Sequence, residues 1–157
     1  MNTDEVPRPI PRAIVLRAAL PTRRDALLPA DAPIRIVSDS VLDGVALGVL
    51  VSERPEVAII DLRGALAAEV APAIRRVRDA SPTIRIVAIG DAGADADVLA
   101  QQTIAAGVSA YLSQDPNPDN LLRAVTEAAA GQLHLTRTGQ KAVRVMLGGE
   151  PPHDAKR

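Results

Sequence analysis

The chain has 157 residues, 47% of them hydrophobic, with a formal net charge of −1, which suits one domain around a single aliphatic core. It holds no Cys, Trp or Phe, two His and one Tyr, Tyr111. These counts exclude disulfide frameworks, Cys-bearing zinc sites, iron–sulfur clusters, thiol nucleophiles and aromatic platforms for stacking bases.

Residues 1–12 read as a disordered lead, because Pro7, Pro9 and Pro11 remove backbone donors and favour an extended chain. Short aliphatic runs follow at 13–18, 34–39, 57–61, 84–90 and 108–113. They read as strands, mostly buried on both faces. Helical patterns separate them. Thr22 with Asp25, and Ser40 with Asp43, fit capping boxes. Pro72 is better placed at the start of a helix over 72–80 than inside one beginning at Ala65. A helix over about 94–106 closes at Gly107. Asn117 before Pro118 opens the last helix. Leu121, Leu122, Val125 and Ala129 form its apolar stripe, and Gly131 ends it. Five β-α alternations imply a parallel sheet with helices on both faces, a doubly wound α/β fold. Its common five-stranded solution is the flavodoxin-like order 2-1-3-4-5.

At three stretches the residues resemble a known family. SERPEVAIIDLRG (52–64) is similar to the third strand of response-regulator receiver domains, with Asp61 at the phosphoacceptor position. RRVRDASPTIRIVAI (75–89) resembles the next helix and the fourth strand. AAGVSAYLSQDPNPDNLLRAVTEAAAGQLHL (105–135) resembles the NarL/LuxR type, where a glycine leads into the fifth strand and a Pro-capped final helix follows. The resemblance spans about 13–135. It implies a flavodoxin-like signalling domain.

The departures from that family bear on chemistry. The resemblance implies an acidic pair after the first strand that holds Mg²⁺; here Ala18 and Ala19 stand there, and 13–20 contains no acid. A hydroxyl residue is implied at the end of the fourth strand and a lysine at the end of the fifth. Gly90 and Gln114 stand in their places. Phosphoryl transfer needs the charge on the transferring oxygens neutralised by a metal and a cation, and Mg²⁺ needs several oxygen ligands. Asp61 alone is a poor site, so no metal or cofactor is expected and Asp61 reads as vestigial. Tyr111 matches the family's rotating switch aromatic. With Gly90 in place of the hydroxyl residue, Tyr111 is expected to be a fixed surface or interface residue.

Other signals favour simpler readings. Asp91, Asp95 and Asp97 lack the spacing of a calcium loop and read as a solvated loop with one helix cap. Arg75, Arg76 and Arg78 read as a solvated helix face. His134 reads as a packed or capping residue. No phosphate-binding glycine loop and no nucleophile–base pair occurs, so an enzyme is not expected. The charge balance gives no footprint for nucleic acid. No apolar run is long enough to span a membrane, and 1–12 lacks the apolar stretch of a signal peptide; a cytoplasmic protein is expected.

Residues 136–147 are expected to form a short helix or strand and 148–157 a disordered tail. Together they are too short for the helix-turn-helix domain that NarL/LuxR-type regulators carry. The expected function is a stand-alone signalling domain that binds a protein partner or a second copy of itself without normal Mg-dependent phosphorylation. Tyr111, Leu121, Leu122 and Val125 are the candidate interface. The alternatives are a phosphoacceptor modified on Asp61 and a domain that senses a small molecule in the crevice beside Ala18, Ala19 and Gly90.

Overall fold

The computed structural model describes residues 10–19, 26–91, 96–113 and 116–131, and the backbone of 134–135. The β-branched and aliphatic runs form strands β1 (Arg12–Arg17), β2 (Arg35–Val41), β3 (Val57–Asp61), β4 (Arg85–Gly90) and β5 (Ala110–Ser113). A two-residue β6 (His134–Leu135) pairs with β5 through Ala110 and Tyr111. All pairings are parallel and the order is β2-β1-β3-β4-β5-β6. The expected flavodoxin-like order therefore holds, with one short strand added beyond β5.

Strand alternation divides the core into two layers. Ile14, Leu16, Ala58, Ile60, Ile86, Ala88 and Tyr111 face α1 (Gly44–Glu53), α2 (Ala67–Ala80) and α3 (Ala96–Ala105). Ala13, Val15, Val57, Ile59, Val87, Ile89 and Leu112 face α4 (Pro118–Ala129). On that second face the irregular stretch 26–34 adds Leu28 and Ile34. Thr22 and Asp25, expected to cap a helix between the first two strands, lie outside the described residues, and the described part of that connection, 26–34, is turns and bends rather than helix.

Several local expectations hold. The Asn117 side chain accepts from the Asn120 N–H at 2.8 Å, and Pro118 opens α4. Gly107 and Gly131 take positive φ, 96° and 82°, behind α3 and α4. Others need correction. Asp43, not Ser40, caps α1 by accepting from the Ala46 N–H; β2 runs on to Val41 and absorbs Ser40. Pro72 lies inside α2, not at its start. Its missing N–H is tolerated because Pro72 and Ala68 are on the solvent side, while Val70, Ala73, Ile74 and Val77 hold the helix to the sheet. Arg12, placed in the lead by the sequence, is the first residue of β1. β2 is exposed to half-buried rather than buried on both faces, because it is an edge strand paired only with β1.

A candidate functional site closed by arginine

Asp61 ends β3 and Arg17 ends β1, and the two are register partners. Both share strand parity with Val57, Ile59 and Val15, so both project toward the face that carries α4. Asp39 on β2 pairs with Val15 and lies diagonally from Arg17 on the same face. The sheet itself thus brings three charged side chains together at the carboxyl ends of its strands.

They interlock. The Arg17 guanidinium donates to both oxygens of Asp39, Nε to Oδ1 at 2.8 Å and Nη2 to Oδ2 at 2.9 Å. Its Nη1 donates to Asp61 Oδ2 at 3.2 Å. Arg63, two residues beyond Asp61, folds back with a second fork: Nε to Oδ1 and Nη2 to Oδ2, both at 2.9 Å. The Arg63 backbone N–H adds a contact to Oδ1 at 3.1 Å. A carboxylate offers about four lone-pair sites. Asp61 has two donors on each oxygen, so all four are taken. Hydrogen bonding to Asp39 raises the pKa of Arg17 above its ordinary value; burial opposes this, and the charges of Asp39 and Asp61 add to it.

The first residues beyond these strands make further contacts at the same end. The Ala18 N–H donates to the Asp61 carbonyl at 2.9 Å. Gly64 has φ 84°, and a Cβ there would stand 3.4 Å from the Ala19 Cβ. The Gly64 N–H donates to Asp91 Oδ2 at 2.8 Å, which ties the loop after β3 to the end of β4. Ala18 and Ala19 are half-buried. A cavity of about 270 Å³ borders Ala18, but its other walls are Leu42, Ala68, Glu69, Pro72, Ala73 and Arg76, and Asp61 is not among them.

Gly90 and Tyr111 meet on the opposite face. A Cβ on Gly90 would lie inside contact distance of the Tyr111 hydroxyl and 3.0 Å from its Cζ. The missing side chain at Gly90 is the space that Tyr111 occupies. Burial, and then the charges of Asp91 and Asp97, raise the pKa of Tyr111.

Tyr111 is therefore not the surface residue expected from the sequence: it is fully buried. Leu121 and Val125 are also fully buried, packed on the sheet within their own chain. The stripe of α4 that suggested an interface is its core face; of the four candidates only Leu122 is partly exposed. Gln114 lies outside the described residues, as do Asp95 and 136–157. Arg75 and Arg76 are exposed, as expected, whereas Arg78 donates to the Gly107 carbonyl. Among the described residues no three or more His, Asp or Glu side chains cluster as metal ligands would, and no helix is long and apolar enough to cross a membrane.

The residues that sequence reading missed are Arg17, Asp39 and Arg63. One signal was present: the stretch 13–20 lacks an acid, yet it places a cation, Arg17, among residues that are otherwise aliphatic.

Neither a family model nor a curated protein sequence matches the chain. Solved structures do. A two-component response regulator of the LuxR family from Aurantimonas sp. SI85-9A1 superposes with a TM-score of 0.65 at 17% identity, covering 88% of this chain and 98% of its own. The isolated receiver (REC) domain of RcsB from Salmonella enterica serovar Typhimurium, in the presence of the phosphomimetic BeF3⁻, gives 0.61 at 11% identity, covering 84% and 97%. The signal receiver domain of the putative response regulator NarL from Mycobacterium tuberculosis gives 0.56 at 19% identity, covering 78% and 98%. The chain has the receiver fold.

Proposed function

We propose that this chain is a receiver-type signalling domain that works by binding protein, without Mg-dependent phosphorylation of Asp61 and without turnover of its own. The observation that carries this is the saturation of the Asp61 carboxylate by Arg17 and Arg63. An attacking carboxylate needs a free lone pair, and Mg²⁺ needs another. Here both oxygens are committed to guanidinium forks, the strongest of the ordinary side-chain hydrogen bonds. Arg17 also cancels locally the charge that a metal would neutralise. In this reading the domain acts in the cytoplasm on a protein partner or on a second copy of itself.

The test is incubation of the full chain with acetyl phosphate and Mg²⁺, read by intact mass and by phosphate-affinity gel. No Asp61-dependent label is expected, and Mg²⁺ should not shift the melting temperature. Stoichiometric labelling that disappears in Asp61→Asn would establish instead a phosphoacceptor acting through an unusual site.

A further inference from the structure

Helices α2 and α3 lie side by side on one face of the sheet, and the groove between them encloses about 650 Å³. That is within the range of small-molecule sites. Its apolar walls are short, with Ala68 and Ala71 on α2 and Ala105 on α3. Short walls leave room but name no occupant. The polar groups in the groove do.

The first is Gln102 of α3, which lines the groove. Its side-chain oxygen is buried and has no hydrogen-bond partner among the described residues. Folded proteins rarely leave a buried acceptor unmet, because it has given up water and gained nothing. The terminal amide torsion of glutamine is soft, so this oxygen can turn to a donor that arrives in the groove. The other two groups are on α2. Arg75 and Asp79 both border the groove and both are exposed. They stand four residues apart on one helix face. Among the described residues neither makes an ion pair or a hydrogen bond through its side chain, not even with the other. Arg78, the second cation of the groove, is committed to the Gly107 carbonyl.

These three groups specify the ligand. Arg75 offers a fork for a carboxylate. Asp79 offers acceptors for an ammonium, and Gln102 an acceptor for an uncharged N–H. The Cβ atoms of residues four apart on a helix lie about 5–6 Å from each other. Two extended residues span at most about 7 Å. The two termini of a dipeptide therefore reach both charges at once, and its one peptide N–H lies between them. Small side chains on the dipeptide suit the alanine walls.

We propose that the groove between α2 and α3 is a binding site for short zwitterionic peptides of small residues, held by Arg75, Asp79 and Gln102. None of Ala18, Gly90 and Asp61 borders it, so it is separate from the cluster at the ends of the strands and does not depend on whether Asp61 is modified.

The experiment is a ¹H–¹⁵N NMR titration of the full chain with alanylalanine up to about 50 mM, with a dissociation constant of about 1 mM expected. The shifts should concentrate at the residues that line the groove. Arg75→Ala and Gln102→Leu should each weaken binding about tenfold. Gln102→Leu removes an unmet acceptor, so the melting temperature of that variant without peptide should hold or rise. That result separates lost binding from misfolding. The N-acetylated dipeptide lacks the ammonium and the C-terminal amide lacks the carboxylate, and each should bind about tenfold more weakly than alanylalanine. No shift at about 50 mM overturns the proposal. So do shifts confined to residues outside the groove, binding indifferent to both substitutions, and blocked dipeptides that bind as well as the free one.

Discussion

Replacing Arg17 with Met tests whether the charged cluster holds this end of the sheet together. The Arg17 side chain is only 3% exposed and that of Asp61 7%, whereas Asp39 is 31% exposed. Removing one member of a buried ion pair costs about 3–5 kcal/mol, because the other charge is left uncompensated. Two features of this cluster place Arg17→Met at the lower end. Asp39 is open enough to rehydrate when its two bonds are lost, and Asp61 keeps three donors from Arg63. Met fills most of the aliphatic volume, so the cavity contribution is small. The expected loss is about 3 kcal/mol, which for a domain of this size lowers the melting temperature by about 10 °C. Urea denaturation followed by circular dichroism measures it. Asp61→Asn should cost less, about 1–2 kcal/mol, since Arg17 retains Asp39. The double variant should then lose less than the sum of the two, with a coupling of about 1 kcal/mol. A loss below about 1 kcal/mol for Arg17→Met, with additive effects in the double variant, would refute the account of a coupled buried network.

Gly90→Ala forces a methyl group against the Tyr111 ring, and the strain should cost about 2 kcal/mol. Adding Tyr111→Phe removes the hydroxyl that meets it first, so about half should return; a Gly90→Ala chain as stable as the parent contradicts the notch. Tyr111 also predicts an alkaline transition. Burial raises its folded pKa above the ordinary tyrosine value, so the folded state holds the proton more tightly than the unfolded chain. The stability from this residue is complete below pH 10 and is lost as pH rises beyond it toward the folded pKa. Tyr111 is the only tyrosine, so tyrosinate absorbance reports on it alone. That absorbance should appear above the ordinary tyrosine range, and reversible titration at an ordinary value in the native protein would count against its burial.

The sheet was legible because its signals are local and redundant. Aliphatic runs such as 57–61 and 84–90 are short, β-branched and bounded by turn residues, and they become β3 and β4 almost residue for residue. The Asn117–Pro118 cap and Gly131 are likewise local and hold α4 as expected. The stripe Leu121, Leu122, Val125 was legible as a stripe but not as to what it covers: periodicity shows that a helix has an apolar face, not whether its own sheet or another molecule meets it. Pro72 misled because an exposed carbonyl one turn back makes its missing N–H tolerable, and exposure is a tertiary fact. The arginine cluster was least legible. Arg17 and Asp39 are 22 residues apart and Arg17 and Asp61 are 44 apart. Only the parallel register brings them together.

The residues around Asp61 make physical sense as a set. A buried carboxylate at the end of β3 faces the cost of an unpaired charge, and the stretch 13–20 holds no acid and one cation, Arg17. Arg17 resolves this from β1, because its planar fork spans Asp39 and Asp61 at once; a lysine has no such fork. Arg63 closes the remaining acceptor sites from the loop. On the other face, Gly90 and Tyr111 form a second fixed contact. The two contacts lie on opposite sides of the sheet and join neighbouring strands, β1 to β3 and β4 to β5.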